Sequence, residues 1–170
     1  MKTLRFVFLL LSVVAILSCK KDSFDVKDPD VDQFVSIIKG GNYFNDVGYE
    51  LPDFKMQHIE RLLSYLNDTT KVQAFPSNPI SSKYTNPKIL NECLLWTIDG
   101  IRFGTKCPSL EPCLIDVSNY SKTTGYMRIS GQKLIEISSW YINWYKEYKN
   151  NPTEALRKKN LLENTTYRWN

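Results

Sequence analysis

A mainly α-helical single domain, a compact bundle of about five helices with room for one small two-stranded β element, is the fold class that this sequence predicts. Three observations predict it. Apolar residues recur at i, i+3, i+4 and i+7 in several windows, the spacing that lays them along one side of a helix. Asp28-Pro29, Asn86-Pro87 and Asn151-Pro152 each offer an N-cap followed by a proline, whose missing N–H costs nothing in a first turn. A chain of 170 residues with 42% hydrophobic content and only seven Gly has the make-up of one folded core.

Taken in order, Val31, Phe34, Val35 and Ile38 follow Asp28-Pro29 at helical spacing, and Gly40-Gly41 stops that helix. Leu51-Pro52-Asp53 precedes a second helix with the stripe Ile59, Leu62, Leu63 and Leu66, ending near Asn67-Asp68. Pro76 and Pro79 keep residues 74–82 out of regular helix. A third helix from Pro87 to about Arg102 carries Ile89, Leu90, Cys93, Leu94, Leu95, Trp96 and Ile98 on more than one face, so it is expected to be the central one. Between Cys107 and Ile129 the texture changes, and the short stretches 114–117 and 126–129 are the pair expected to form the β element. Ser130 opens a long fourth helix and Asn151-Pro152 a fifth, with Ala155, Leu156, Leu161 and Leu162. The terminal aromatics Tyr167 and Trp169 are expected to dock on the body.

The start of the chain has its own logic. Met1-Lys2-Thr3-Leu4-Arg5 is basic, and the apolar run from Phe6 to Leu17 is about twelve residues long, against the roughly twenty needed to cross a bilayer as a helix. A cleaved secretory leader, residues 1–18, is the expectation. The Ile16-Leu17-Ser18-Cys19 that ends it resembles the lipobox of bacterial lipoproteins, and Lys20-Lys21-Asp22 resembles the start of Bacteroidota lipoproteins. The resemblance implies lipidation of Cys19, cleavage before it, and an acylated new terminus. Two or three chains then anchor stably, at about 0.8 kcal/mol per buried methylene. Residues 19–28 read as a tether and 29–170 as the globular domain. With Lys20 in second position, the expected address is the cell envelope, at the outer membrane. A second resemblance, to an uncharacterised domain family of Bacteroides-type lipoproteins over residues 30 to 170, rests on Phe75-Pro76-Ser77-Asn78-Pro79-Ile80-Ser81-Ser82 and on the stretch from Cys93 to Arg102. It implies compartment and fold, and no activity.

Removing the leader takes away Lys2 and Arg5, which leaves 20 bases against 18 acids and a net charge of +2 instead of +4. That is no nucleic-acid footprint. Asp28, Asp30 and Asp32 alternate like the opening of an EF-hand loop, but Gln33 stands where Gly is required and Lys39 where the bidentate acid belongs, so they are read as helix-start charges. His58 is the single histidine, and no spaced cluster of imidazoles, thiols and carboxylates accompanies it. No catalytic set, metal site or cofactor is therefore expected.

In an oxidising compartment, Cys107 and Cys113 are expected to form a disulfide around Pro108-Ser109-Leu110-Glu111-Pro112, leaving Cys93 buried and free; a bridge from Cys93 to either is the alternative. Asp68-Thr69-Thr70 resembles the short O-glycosylation pattern of Bacteroidota envelope proteins, which implies Thr69 as the acceptor. On the fourth helix, Trp140, Tyr141, Trp144, Tyr145 and Tyr148 cover more surface than a small core absorbs. The functional expectation is an accessory lipoprotein presenting that aromatic helical surface to a protein or glycan partner. Two other readings stand beside it: a small hydrolase or thiol enzyme using His58 or Cys93, and a structural envelope component.

Overall fold

The computed structural model describes residues 23–78, 87–123 and 125–170. Their element order is α1 (Val31–Gly40), α2 (Tyr43–Asp46), a 3₁₀ turn (Met56–His58), α3 (Ile59–Leu63), β1 (Lys71–Val72), β2 (Lys88–Ile89), α4 (Leu90–Phe103), β3 (Leu114–Ser121), β4 (Gly125–Arg128), α5 (Gly131–Asn150), α6 (Glu154–Arg157) and β5 (Tyr167–Trp169). This is a mixed α/β fold and not the mainly helical bundle expected. Among the described residues there are six helices, of which only α1, α4 and α5 exceed two turns, together with two antiparallel sheets. The correction has a physical source. The predicted pair 114–117 and 126–129 does form, as β3 and β4, but the C-terminal tail adds β5 on its other side, giving the order β4-β3-β5. The expected fifth helix is a single turn whose Thr153 side chain accepts from Leu156 N, and the chain then turns back to supply that strand.

Each long helix is explained by its residues. Asp30, rather than Asp28, caps α1 by accepting from Gln33 N at 2.7 Å, and Gly41 closes the helix at φ 72°, a left-handed conformation suited to glycine. Val31, Phe34, Val35 and Ile38 form its buried stripe. Helix α4 is buried almost all round, as its sequence implies, although it begins at Leu90 because Lys88 and Ile89 pair with β1. On α5 the buried positions are Leu134, Ile137, Ser138, Tyr141 and Trp144. Between the helices lies an edge-to-face aromatic cluster: Phe34 meets Phe54 at 5.1 Å and Tyr43 at 5.8 Å, and Phe75 meets Trp96 at 6.1 Å. Burying each of these rings contributes roughly 1.5–3 kcal/mol. Phe24, expected in the tether, packs on Phe34 and Tyr43, so the body already begins there.

One surface contact at the end of α1 has a pH signature. Burial pushes the Asp68 carboxyl up, but the Lys39 ammonium 2.7 Å away and the Thr70 hydroxyl and N–H outweigh it and hold the group at about 2. A folded value below the ordinary 3.8 means that this stabilisation is present above about pH 4 and is lost as the pH falls towards 2. Asp68→Asn is expected to cost about 0.5–1 kcal/mol at pH 7. In urea titrations the difference from the parent should narrow sharply between pH 7 and pH 2, and a gap of equal size at both pH values would contradict the assignment.

Candidate functional site

Helix α4 carries two carboxyls seven residues apart, Glu92 and Asp99, and both are buried. At 3.6 residues per turn they fall on one side of the helix, two turns apart. Glu92 receives Leu114 N of β3 at 2.7 Å and the Arg128 guanidinium of β4, whose Nη1 also donates to Pro87 O at 3.2 Å. Asp99 receives Arg102, the Tyr141 hydroxyl at 2.7 Å and Trp169 Nε1 of β5 at 2.8 Å. One helix thereby grips the three-stranded sheet at two places. Burial pushes the Asp99 carboxyl up, against the Arg102 charge and the Tyr141 and Trp169 donors; all three neighbours donate, so the form that fits them at neutral pH is the carboxylate.

Arg102 is fully buried within this frame. Its guanidinium lies 4.4 Å from the Trp144 ring centroid and donates to the carbonyls of Arg157 (3.2 Å) and Lys159, which fixes α6 against α4 and α5. Trp144 Nε1 adds a bond to Leu156 O at 2.8 Å.

Beside α4 runs a groove of about 560 Å³. Residues 51–57 form one wall, while Trp96, Thr97, Gly100, Ile101 and residues 104–106 form the other, with Arg157 of α6 at its rim. Gly100 is required for this shape, since a Cβ there would lie 2.7 Å from Thr105 O. The Lys55 ammonium at 2.6 Å holds the Asp53 carboxyl below the usual range, and Lys106 Nζ donates to Leu51 O at 3.1 Å.

The third feature is the outer half of the β3–β4 hairpin. Burial along β3 ends after Ile115, and the strand register shifts between Asp116 and Tyr120. Beyond that shift Tyr120 sits opposite Tyr126, with ring centroids 5.0 Å apart, and Tyr120, Tyr126 and Met127 are all about half exposed or more.

The expected site residues are scattered. Tyr141 and Trp144 are buried parts of the carboxylate frame, so the α5 aromatics are not one exposed surface; Trp140, Tyr145 and Tyr148 are half-buried, and Trp140 stacks on Tyr167 at 6.4 Å. His58 Nδ1 accepts from Lys55 N at 2.9 Å, capping the 3₁₀ turn. Cys93 is completely buried, and burial, reinforced by the Glu92 charge, pushes its thiol well up. Cys93, Cys107 and Cys113 all carry free thiols, so no disulfide joins Cys107 to Cys113. The loop between them is held by other means: Trp96 Nε1 donates to Ser109 Oγ, Ser109 Oγ to Glu111 O, and Asn170 N to Cys113 O. Thr69 is exposed. Among the described residues no group of three or more His, Cys, Asp or Glu is placed to hold a metal ion, and no helix is long and apolar enough to cross a membrane. Cys19 and the leader lie outside the described residues.

Sequence reasoning missed Glu92, Asp99, Arg102 and Arg128. The available signal was the presence of Glu92, Asp99 and Arg102 in a helix otherwise apolar on most faces, because charges in such a helix need partners.

A short, irregular sheet clamped to one buried helix by two carboxyls, with an aromatic hairpin left outside the core, defines a mixed α/β domain. The chain belongs to the family described as Domain of unknown function (DUF4943), whose model matches residues 25–170. No curated protein and no solved structure matches it.

Proposed function

We propose that this chain is a lipid-anchored accessory protein of the bacterial cell envelope, tethered at the outer membrane through Cys19, that binds a partner protein. The observation that carries the binding part is the outer hairpin, where the Tyr120–Tyr126 pair is exposed on one face and Met127 on the other of a sheet that has β4 as one of its two edge strands. Isolated exposed apolar residues are ordinary; an aromatic pair on a free strand edge is what a partner strand or loop packs against. The Tyr120–Tyr126 pair is edge-on, at 61° between planes, and does not offer the flat platform that a sugar ring takes, which favours a protein over a glycan. The enclosed Cys93 and the capping role of His58 further support binding over catalysis. The anchor rests on the lipobox resemblance.

The test places a photo-crosslinking residue at Tyr126 or at exposed Lys146 of α5 in cells producing the full chain. A discrete adduct from position 126 alone, lost when Tyr120→Ser is added, is the expected result. Equal adducts from both positions, or none, would overturn the hairpin assignment. In the same cells Cys19→Ser is expected to move the chain from the membrane pellet to the soluble fraction; retention in the pellet would overturn the anchor and leave the hairpin result standing.

A further inference from the structure

We infer that the groove beside α4 is a binding site for a small organic anion with an apolar body. This goes beyond the hairpin reading and does not rest on it. The volume, about 560 Å³, falls in the range of roughly 300–1,000 Å³ typical of small-molecule sites. Its apolar lining comes from Leu51, Phe54, Met56 and Ile101, which suits a hydrocarbon or aryl body. The cations on its walls are Lys55, Lys106 and Arg157; Asp53 offsets Lys55 and Glu154 offsets Arg157, which leaves Lys106 without a salt bridge among the described residues.

The polar atoms are poised for an anionic head. Lys55 is taken up by Asp53; the Lys106 charge also acts on Asp53, but its ammonium donates to a neutral carbonyl, that of Leu51, a weaker bond than one to an anion. Arg157 turns Nη2 to Glu154 at 2.8 Å, while its Nε is buried and has no hydrogen-bond partner. That Nε is enclosed by protein, so what Arg157 brings to the groove is the charge of its guanidinium. Its placement is built in, because Arg102 holds the Arg157 backbone carbonyl. A carboxylate or a phosphate reaching Lys106 gives that ammonium a charged acceptor beside the Arg157 guanidinium, and the apolar body then lies along Phe54 and Met56.

The test uses the chain from residue 19 with Cys19→Ser, which contains every described residue and needs no detergent. It is titrated calorimetrically with 2-naphthoate, with the neutral 2-naphthamide and with 2-naphthyl phosphate. Saturable naphthoate binding is expected, with the amide weaker by about tenfold or more. A phosphate tighter than the carboxylate assigns the head as phosphate, and the reverse order assigns it as carboxylate. Lys106→Met and Arg157→Leu should each weaken anion binding by about fivefold or more while leaving the melting temperature and amide binding nearly unchanged. Equal affinity for amide and anion, no saturation in the millimolar range, or full binding by both variants would overturn the site.

Discussion

Asp99→Ala is expected to destabilise the fold by roughly 3–5 kcal/mol, the cost of removing one partner from a buried ion pair. Asp99 accepts from three groups at once, and its loss strands all of them. Arg102 keeps its charge with only the carbonyls of Arg157 and Lys159 and the rings around it, while the Tyr141 hydroxyl and the Trp169 indole N–H lose their acceptor. Arg102 and Tyr141 are fully buried, so water does not take the place of the carboxylate without opening the core. Set against a total stability of about 5–15 kcal/mol, such a loss leaves much of the chain unfolded at growth temperature. Urea unfolding at constant m measures it. The paired substitution Asp99→Leu with Arg102→Met separates charge from packing: it removes the stranded cation and should recover a large part of the loss. A single-variant cost below about 1 kcal/mol would mean that the carboxylate is solvated and the frame is not holding β5.

The same residues show where sequence and structure part. Helices α1, α4 and α5 were legible because their buried stripes repeat at the helical period over ten residues or more. The sheet was half legible: β3 and β4 show as short apolar stretches, but β5 is three residues long and half-exposed, and it exists because β3 and Asp99 offer it partners from distant parts of the chain. Two-residue β1 and β2 have no periodicity to read at all. The α5 aromatics illustrate a different limit. Periodicity placed Trp140 with Trp144 and Tyr141 with Tyr145, yet which flank faces inward depends on where α4 presents Asp99 and Arg102. The structure selects the phase through Leu134, Ile137, Tyr141 and Trp144. The groove was invisible for a similar reason, since it joins residues 51–57, α4 and α6 across the chain.

The binding proposed for the hairpin also rests on the second carboxyl of α4. Glu92→Ala is expected to cost about 2–4 kcal/mol, somewhat less than Asp99→Ala because Arg128 keeps part of its contact with water. The damage should be local. Glu92 holds Leu114 N and Arg128, which sit at the base of β3 and β4, so hydrogen exchange should speed along the hairpin more than in α4 itself. The pH dependence has the opposite sign to that of Asp68. Burial raises the Glu92 carboxyl above its ordinary 4.5, against Arg128 and the Leu114 N–H, so the folded chain holds this proton more tightly than the unfolded one. The contribution is fully present below about pH 4.5 and declines as the pH rises through the folded value. Glu92→Gln has no such titration, so the stability difference between parent and variant should be larger at pH 4 than at pH 7. If that difference instead widens towards pH 7, the Arg128 charge outweighs burial and Glu92 works as a plain carboxylate clamp. If neither Glu92→Ala nor Glu92→Gln speeds exchange in the hairpin, the link from the buried helix to the Tyr120–Tyr126 pair fails.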